Sequence, residues 1–496
     1  MILIFMPAIL LVAGILCWFI SKWNLSMARW IALIAIIADL ILIANVWSAH
    51  PASVSDINQS WFINYQANWI PSFGISFHLA LDGLSVIMLL LTFFLGSFAV
   101  LCSWNEVKER PGFYYFNLLW TLAGITGVFL ALDLFLFYFF WEVMLVPMYF
   151  LIAIWGDINR RYAAYKFFIF TQAGGLLMLV AILALYFIHG AQTGVYTYDY
   201  FSLLNTSLTL ETGRWIMLGF MIAFLIKLPA VPFHNWLPDA HSEAPTAGSL
   251  ILAGLLLKTG AYGFIRFVLP LFPQALSSFA WWAMLIGVIG IVYGAMMAYA
   301  QTDIKRLIAY TSVSHMGYVL LGIFAFKEIA MQGVVMQMIT HGISTGALFI
   351  LAGMLKERLH TRDINQMGGL WTAMPAMGST MLFFVMASLG LPFFGNFIAE
   401  FLILLGAFQS DIPLTVIATL GFVFSALYSL RLMQRVFLGP LAPQKKLFDL
   451  NIREYIMMAV LIISIVLLGI YPQPIMDLVN PVVIHLVGGQ ATVALH

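Results

Sequence analysis

Apolar residues run along this chain in long, continuous stretches rather than alternating with polar ones. A helix that spans a bilayer needs about 20 mostly apolar residues. The alternation that is typical of membrane-barrel strands does not occur, so the pattern predicts an all-α integral membrane protein without strands. The longest polar connections, 49–77 and 190–213, are expected to cap it at the interface. We count fourteen apolar stretches, centred near residues 11, 38, 90, 122, 144, 176, 225, 256, 288, 314, 341, 391, 425 and 464.

The composition narrows the class further. Of the 496 residues, 63% are hydrophobic and only 9% are charged, whereas a soluble domain carries about 25% charged residues. This excludes a soluble enzyme, a nucleic-acid-binding protein and a disordered scaffold, and it makes lipid the expected surroundings. The net charge of +1 suggests no polyanionic partner.

The metal-ligating residues are sparse. Two cysteines, Cys17 and Cys102, exclude a disulfide framework, a thiolate zinc site and a cysteine-ligated iron–sulfur cluster. No two histidines stand four residues apart with a supporting carboxylate, so a metal or haem site is not expected either. We therefore expect no cofactor within this chain.

The basic residues predict an orientation. Lys22 and Arg29 follow the first span rather than precede it, which argues against a cleaved signal peptide. Odd-numbered connections hold seventeen of the 22 basic residues, whereas even-numbered connections and the tail hold only Arg214, Arg266 and Lys327. The positive-inside rule then makes the odd connections cytoplasmic and puts both termini on the far side. The seventeen are Lys22, Arg29, Lys108, Arg110, Arg160, Arg161, Lys166, Lys305, Arg306, Lys356, Arg358, Arg362, Arg431, Arg435, Lys445, Lys446 and Arg453.

The two remaining basic residues, Lys227 and Lys258, lie well inside apolar stretches. An ionisable group at mid-bilayer costs about 2.5–3.5 kcal/mol on insertion scales, so its default interpretation is functional. Pro229 and Pro232 follow Lys227 and predict a broken helix there. Such a break is tolerated only against protein or a water-filled cavity. The alternative for Lys227 is a helix kink with a structural ion pair.

Two carboxylates are buried in the same way. Glu142 lies among aromatic residues in the fifth span, and Glu400 follows a second Leu-Pro break at Pro392 in the twelfth. We predict that both exchange protons, with Glu142 also forming a switchable ion pair with a lysine on a neighbouring helix. For Glu142 the alternative is a structural carboxylate paired with a lysine on a neighbouring helix.

Histidines and two further aspartates complete the candidates. His234, His241, His315 and His341 lie in or beside apolar stretches and are candidate proton relays, because histidine titrates near neutral pH. Each could equally be a satisfied core residue. Asp39 and Asp82 are open between a functional role and a structural cap or packing role. The candidate proton-transfer set is Glu142, Lys227, Lys258 and Glu400, with His315, His341, His241 and His234 as relays.

The two Leu-Pro breaks also predict an internal repeat. They lie 163 positions and five spans apart, and an odd number of spans reverses the orientation of the unit. Spans 4–8 and 9–13 then form two inverted five-helix repeats, in which the Lys227 span corresponds to the Glu400 span and the Glu142 span to the His315 span. The predicted segments are 1–110 (spans 1–3), 111–270 (first repeat), 275–440 (second repeat) and 450–496 (span 14 and a tail).

Three segments resemble the antiporter-like subunits of respiratory complex I, the proton-translocating NADH–quinone oxidoreductase. They are WEVMLVPMYFLIAIWG (141–156), HNWLPDAHSEAPTAGS (234–249) and QTDIKRLIAYTSVSHMGY (301–318), and the resemblance extends over essentially the whole chain. Of the three such chains, L would add a long lateral helix after span 14, and N usually carries lysine where this chain has Glu400. The resemblance therefore favours the remaining chain of the three. One departure from an ideal repeat is that span 13 has no buried lysine matching Lys258.

The resemblance implies a non-redox membrane-arm subunit in a hetero-oligomer, beside chains L and N, in a bacterial inner membrane. Glu142 would pair with Lys227, Lys258 would pass the proton centrally with His315 and His341, and Glu400 would release it outward. NADH, FMN, iron–sulfur clusters and quinone would belong to partner subunits. The alternatives are a subunit of a multi-subunit Na⁺/H⁺ antiporter or of a membrane-bound hydrogenase, and a structural arm subunit without a proton path.

Overall fold

The protein is described by a computed structural model, which covers residues 1–49, 61–440 and 447–493. Lys445, Lys446 and part of the connection 49–77 lie outside the described residues. The described chain is mostly helical, as the sequence predicts. Its helices are α1 (Ile2–Ile20), α2 (Leu25–Ala49), α3 (Gly83–Glu106), α4 (Pro111–Leu130), α5 (Leu134–Trp155), α6 (Arg160–Thr193), α7 (Tyr200–Leu203), α8 (Leu210–Lys227), α9 (Trp236–Glu243), α10 (Thr246–Leu271), α11 (Pro273–Ser277), α12 (Ala280–Ala300), α13 (Ile304–Phe324), α14 (Glu328–Leu359), α15 (Leu370–Ala373), α16 (Pro375–Ser388), α17 (Gly395–Phe408), α18 (Ile412–Val436), α19 (Ile452–Ile470) and α20 (Gln473–Val493).

Twelve helices within the described residues are long and apolar enough to cross a membrane. The predicted stretches centred near 225 and 391 are not among them, because the helix is interrupted at both. The first consists of α8 and α9, and the second consists of α16 and α17. The count of fourteen spans and the inverted repeat stay predictions. The predicted tail after span 14 forms the further helix α20.

Both interruptions coincide with the Leu-Pro steps. Helix α8 ends at Lys227, two residues before Pro229, and α16 ends at Ser388, four residues before Pro392. A proline inside a helix removes a backbone hydrogen bond and clashes with the preceding turn. Gly390 in the second break has φ of 80°, a left-handed conformation that suits glycine.

The chain separates into two compact units. The first comprises Met1–Leu228, Leu255–Ala280 and Asp477–His496, and the second comprises Pro229–Gly254 and Trp281–Met476. Glycines let helices approach closely inside each unit. In the first, a Cβ on Gly124 of α4 would lie 2.5 Å from the backbone nitrogen of Met144 in α5. In the second, a Cβ on Gly333 of α14 would lie 2.7 Å from the carbonyl oxygen of Ala399 in α17.

The expectation that the chain has no strands is wrong for residues 61–82. Trp61–Ile70 (β1) and Ile75–Asp82 (β2) form an antiparallel hairpin in the first unit. Aromatic and β-branched residues in β1 favour a strand. The turn between the strands ends at Gly74, whose φ is 67°. The predicted interfacial cap is therefore a small sheet rather than an irregular loop.

A buried histidine fastens this hairpin to the rest of the first unit. His78 Nδ1 donates to Asp199 Oδ1 at 2.5 Å, and His78 Nε2 lies 2.8 Å from Asn64 Oδ1 on β1. Burial alone would raise the pKa of Asp199. The hydrogen bonds from His78 and from Ser202 outweigh that effect, so the pKa of Asp199 lies below its ordinary value.

Candidate functional site

Lys227, the last residue of α8, is fully buried. Its Nζ atom has no hydrogen-bond partner among the described residues. It lies 5.2 Å from the centroid of the Trp141 ring and 5.6 Å from that of Phe167. Aromatic faces attract a cation, and the attraction is strongest where water is excluded. The structure thus places a single amine in an aromatic pocket at a helix break.

Glu142 lies in α5, directly after Trp141, and its side chain is half-buried. Its Oε1 accepts a long hydrogen bond of 3.4 Å from Gln172 Nε2 on α6. Glu142 and Lys227 attract each other electrostatically, but they share no hydrogen bond here. The geometry is that of an open pair, and the predicted switchable pairing stays a prediction.

Lys258 lies in the same unit as these two residues and is also fully buried. Two residues further along α10, a Cβ on Gly260 would lie 3.1 Å from Lys227 Cβ and 2.8 Å from the carbonyl oxygen of Phe224. The small residue therefore lets α10 run close to the end of α8. Wide π-helical turns at 252–256 and 264–268 flank Lys258, and such turns are frequent at functional sites.

Glu400 is the centre of a hydrogen-bonded cluster in the second unit. Its Oε1 accepts from His315 Nδ1 at 2.8 Å and from Gln337 Nε2 at 3.1 Å. On the other side of the imidazole, Nε2 lies 3.2 Å from Ser388 Oγ and 3.4 Å from Tyr428 OH. These contacts join five helices around one buried carboxylate.

His341 also lies near this cluster. It is fully buried, and its ring centroid lies 5.6 Å from that of His315 in an edge-on arrangement. Sequence reasoning missed Gln337, Ser388 and Tyr428. Two of them had a positional signal, because Gln337 lies one helical turn before His341 and Ser388 lies four residues before Pro392. Tyr428 had no such signal.

His234 and His241 lie in the second unit and pack against aromatic rings. His241 stacks on Phe349 with centroids 4.6 Å apart and an angle of 8° between the planes. His234 lies edge-on to Tyr293 at 5.1 Å. Their predicted relay roles stay predictions.

Asp82 has a structural environment. Its Oδ1 accepts from the backbone nitrogen of Ser85 at 2.9 Å and so caps α3, while Oδ2 pairs with the buried guanidinium of Arg266. Asp39 differs, because it is fully buried and neither carboxylate oxygen has a hydrogen-bond partner among the described residues.

Lys305 is another buried lysine, which sequence reasoning had assigned only to membrane orientation. It is 1% exposed, and its Nζ donates to the carbonyl oxygen of Ala244 at 2.8 Å. That carbonyl lies at the end of α9, where a cation is favourable. Arg362 contacts Glu243 and Asp303, each at 3.1 Å. These ionic contacts anchor the helix that follows the first break.

Comparison with known proteins agrees with this architecture. Residues 131–426 match the transmembrane family described as NADH:quinone oxidoreductase/Mrp antiporter. The chain is 53% identical over 487 residues to NADH-quinone oxidoreductase subunit M of Pseudomonas aeruginosa, covering 96% of each chain. It is also 53% identical over 476 residues to the subunit M of Escherichia coli K12, covering 94% of each.

Solved structures give the same result. A chain of respiratory complex I from Thermus thermophilus with bound NADH superimposes with a TM-score of 0.88 at 29% identity, covering 98% of this chain and 99% of that one. A chain of the Mrp complex from Dietzia sp. DQ12-45-1b has a TM-score of 0.86 at 20% identity, covering 99% and 98%, and shows the fold alone. The chain therefore belongs to the NADH:quinone oxidoreductase/Mrp antiporter transmembrane family, among the NADH-quinone oxidoreductase M subunits.

Proposed function

We propose that this chain translocates protons across the membrane as a non-redox subunit of NADH–quinone oxidoreductase. The observation that carries the proposal is Lys227, a fully buried amine without a hydrogen-bond partner among the described residues, in an aromatic pocket at a helix break. A permanently buried structural cation needs acceptors around it. An amine that gains and loses its proton fits this aromatic environment better.

In the first unit, Glu142 and Lys227 act as a switchable pair. Closing the pair favours the ammonium, and opening it favours release of the proton, because a nearby opposite charge stabilises the charged form. The open geometry described above is one of the two positions. Lys258, buried beside the end of α8, receives the proton next.

In the second unit, His315 and His341 relay the proton to Glu400, which releases it outward. The 2.8 Å contact between His315 Nδ1 and Glu400 Oε1 supports this step, because it is short enough for direct transfer. His234 and His241 are further relay candidates. Ser388 and Tyr428, on the other imidazole nitrogen, extend the hydrogen-bonded route.

The remaining parts of the proposal concern partners and location. NADH, FMN, iron–sulfur clusters and quinone belong to partner subunits, whose electron transfer drives the proton movement. Antiporter-like chains L and N are the neighbours of this chain in the membrane arm. The bacterial relatives support a bacterial inner membrane location, and the distribution of basic residues supports both termini on the periplasmic side.

A Na⁺/H⁺ antiporter subunit is the alternative. The likeness to the Mrp complex supports it only at the level of the fold, since the identity is 20%. The relatives at 53% identity favour the oxidoreductase instead.

The test uses Glu142→Gln and Glu400→Gln in the complete complex in membrane vesicles. We expect each to abolish most NADH-driven proton uptake per assembled complex. Glu328→Gln, an exposed carboxylate at the start of α14, is the matched control and leaves uptake unchanged. Assembly is measured on native gels. Normal uptake by either variant in an assembled complex would contradict the proposal.

A further inference from the structure

Gly175 of α6 faces the carboxylate of Glu142. A Cβ on Gly175 would lie 3.0 Å from Glu142 Oε1 and 3.7 Å from Trp141 Nε1. A Cβ atom at 3.0 Å from a carboxylate oxygen is tighter than most real contacts, so the carboxylate would have to shift by a few tenths of an ångström. The carboxylate therefore lies in space that a side chain at residue 175 would partly take.

The neighbouring Gly174 has a different environment, because it packs against another helix. A Cβ on Gly174 would lie 2.8 Å from Ile226 Cδ1 and 3.1 Å from Ala223 Cα in α8. Gly174 thus serves helix packing, whereas the atoms nearest to Gly175 are the polar ends of Glu142 and Trp141. The backbone gives no reason for glycine at 175, because the residue is helical and its φ is not positive. A glycine inside a helix costs about 1 kcal/mol relative to alanine.

The same relationship recurs in the second unit. A Cβ on Gly390 would lie 3.1 Å from Glu400 Oε2, the oxygen that faces away from His315 and Gln337. Both glutamates in the proposed path therefore have one oxygen against a glycine. Gly390 also has a positive φ, so a substitution there would strain the backbone as well as crowd the carboxylate. Only a substitution at Gly175 tests the steric effect alone.

We propose that Gly175 is a positioning residue that provides the space for the Glu142 carboxylate in its open, unpaired position. This inference rests on the proposed function. With alanine at 175, the carboxylate has to shift by a few tenths of an ångström from its place beside Gln172, and this makes the open position of the pair with Lys227 less favourable. Gln172 Nε2 and the Tyr138 hydroxyl are the side-chain donors from which the displaced carboxylate moves away.

The experiment compares Gly175→Ala with two glycine controls in the complete complex in vesicles. We expect Gly175→Ala to lower NADH-driven proton uptake per assembled complex about threefold or more, since off-rotamer side chains are unfavourable. The pH profile of uptake should also shift. Gly213→Ala, whose Cβ would lie 3.8 Å from its nearest neighbours, changes neither. Gly174→Ala reduces the amount of assembled complex but leaves the pH profile unchanged.

A second variant covers the case in which Gly175→Ala does not assemble. Glu142→Asp shortens the carboxylate, so the double variant Gly175→Ala/Glu142→Asp should then assemble. Failure of the double variant as well would overturn the inference, and so would wild-type uptake with an unchanged pH profile in Gly175→Ala. If Glu142→Gln itself pumps normally, the proposed function fails instead, so the two failures are distinguishable.

Discussion

The Nζ atom of Lys227 lies 5.2 Å from the centroid of the Trp141 ring. Trp141 directly precedes Glu142, so one short segment of α5 supplies both an aromatic face and a carboxylate to the lysine's surroundings. The ring attracts the ammonium when the carboxylate is not paired with it. A cation–π contact away from water contributes about 2 kcal/mol or more. This relationship makes the open pair tolerable in a buried site.

Substitution of Trp141 tests this role. Trp141→Phe keeps a π face, although a weaker one, whereas Trp141→Leu removes it. We expect Phe to retain most NADH-driven proton uptake per assembled complex and Leu to lose most of it. Equal uptake by the two variants would show that the ring acts only through its volume.

The hydrogen bond from Gln337 to Glu400 is the subject of a second prediction. Gln337→Met removes a donor to a buried carboxylate, and such bonds contribute about 1.5–3 kcal/mol. We expect proton uptake per assembled complex to fall about tenfold or more. Gln172→Met is the matched control, since its bond to Glu142 is 3.4 Å long and half-buried. A larger loss in the control than in Gln337→Met would contradict this ranking.

Asp82 is expected to stabilise the fold without carrying protons. Asp82→Asn leaves Arg266 as an uncompensated buried charge, which costs about 3–5 kcal/mol. Thermal stability and assembly should fall, while uptake per assembled complex stays at the wild-type level. The double variant Asp82→Asn/Arg266→Gln should recover part of the stability. A specific loss of pumping in assembled Asp82→Asn would assign this residue to the proton path.

The hairpin's attachment through Asp199 has a defined pH dependence. The pKa of Asp199 is lowered in the folded protein, so the ionised carboxylate stabilises the fold at pH values above the unfolded pKa of about 3.9. That contribution is lost as the pH falls through the lower, folded-state pKa. Hydrogen-exchange protection of 61–82 should therefore hold from pH 7 down to about 4 and fall below it.

Asp199→Asn supplies the comparison. We expect it to weaken hairpin protection at pH 7 and to remove the additional loss in acid. Asp411→Asn, which alters the cap of α18 in the other unit, should leave the hairpin unchanged. Unaltered protection in Asp199→Asn would contradict the assigned contact with His78.

Most of the helical architecture follows from the sequence, because long apolar runs and prolines have few alternative structures in a bilayer. The lone charges Lys227 and Glu400 were recognisable for the same reason. The hairpin at 61–82 was not, because two short strands resemble a polar connection. Gln337 and Tyr428 were missed because uncharged polar residues are common in helices, and only the folded chain brings them to His315. The buried position of Lys305 was missed because its positive charge also fits the positive-inside rule.

Lys227→Met in the complete complex tests the central claim most directly. Lys227 has no hydrogen-bond acceptor to lose among the described residues, and replacing a buried charge by an apolar side chain of similar volume is often neutral or stabilising. We predict normal assembly and thermal stability, together with loss of most proton uptake per NADH oxidised. Lys108→Met, an exposed lysine, serves as the control. Wild-type protons per NADH in assembled Lys227→Met complex would contradict the account.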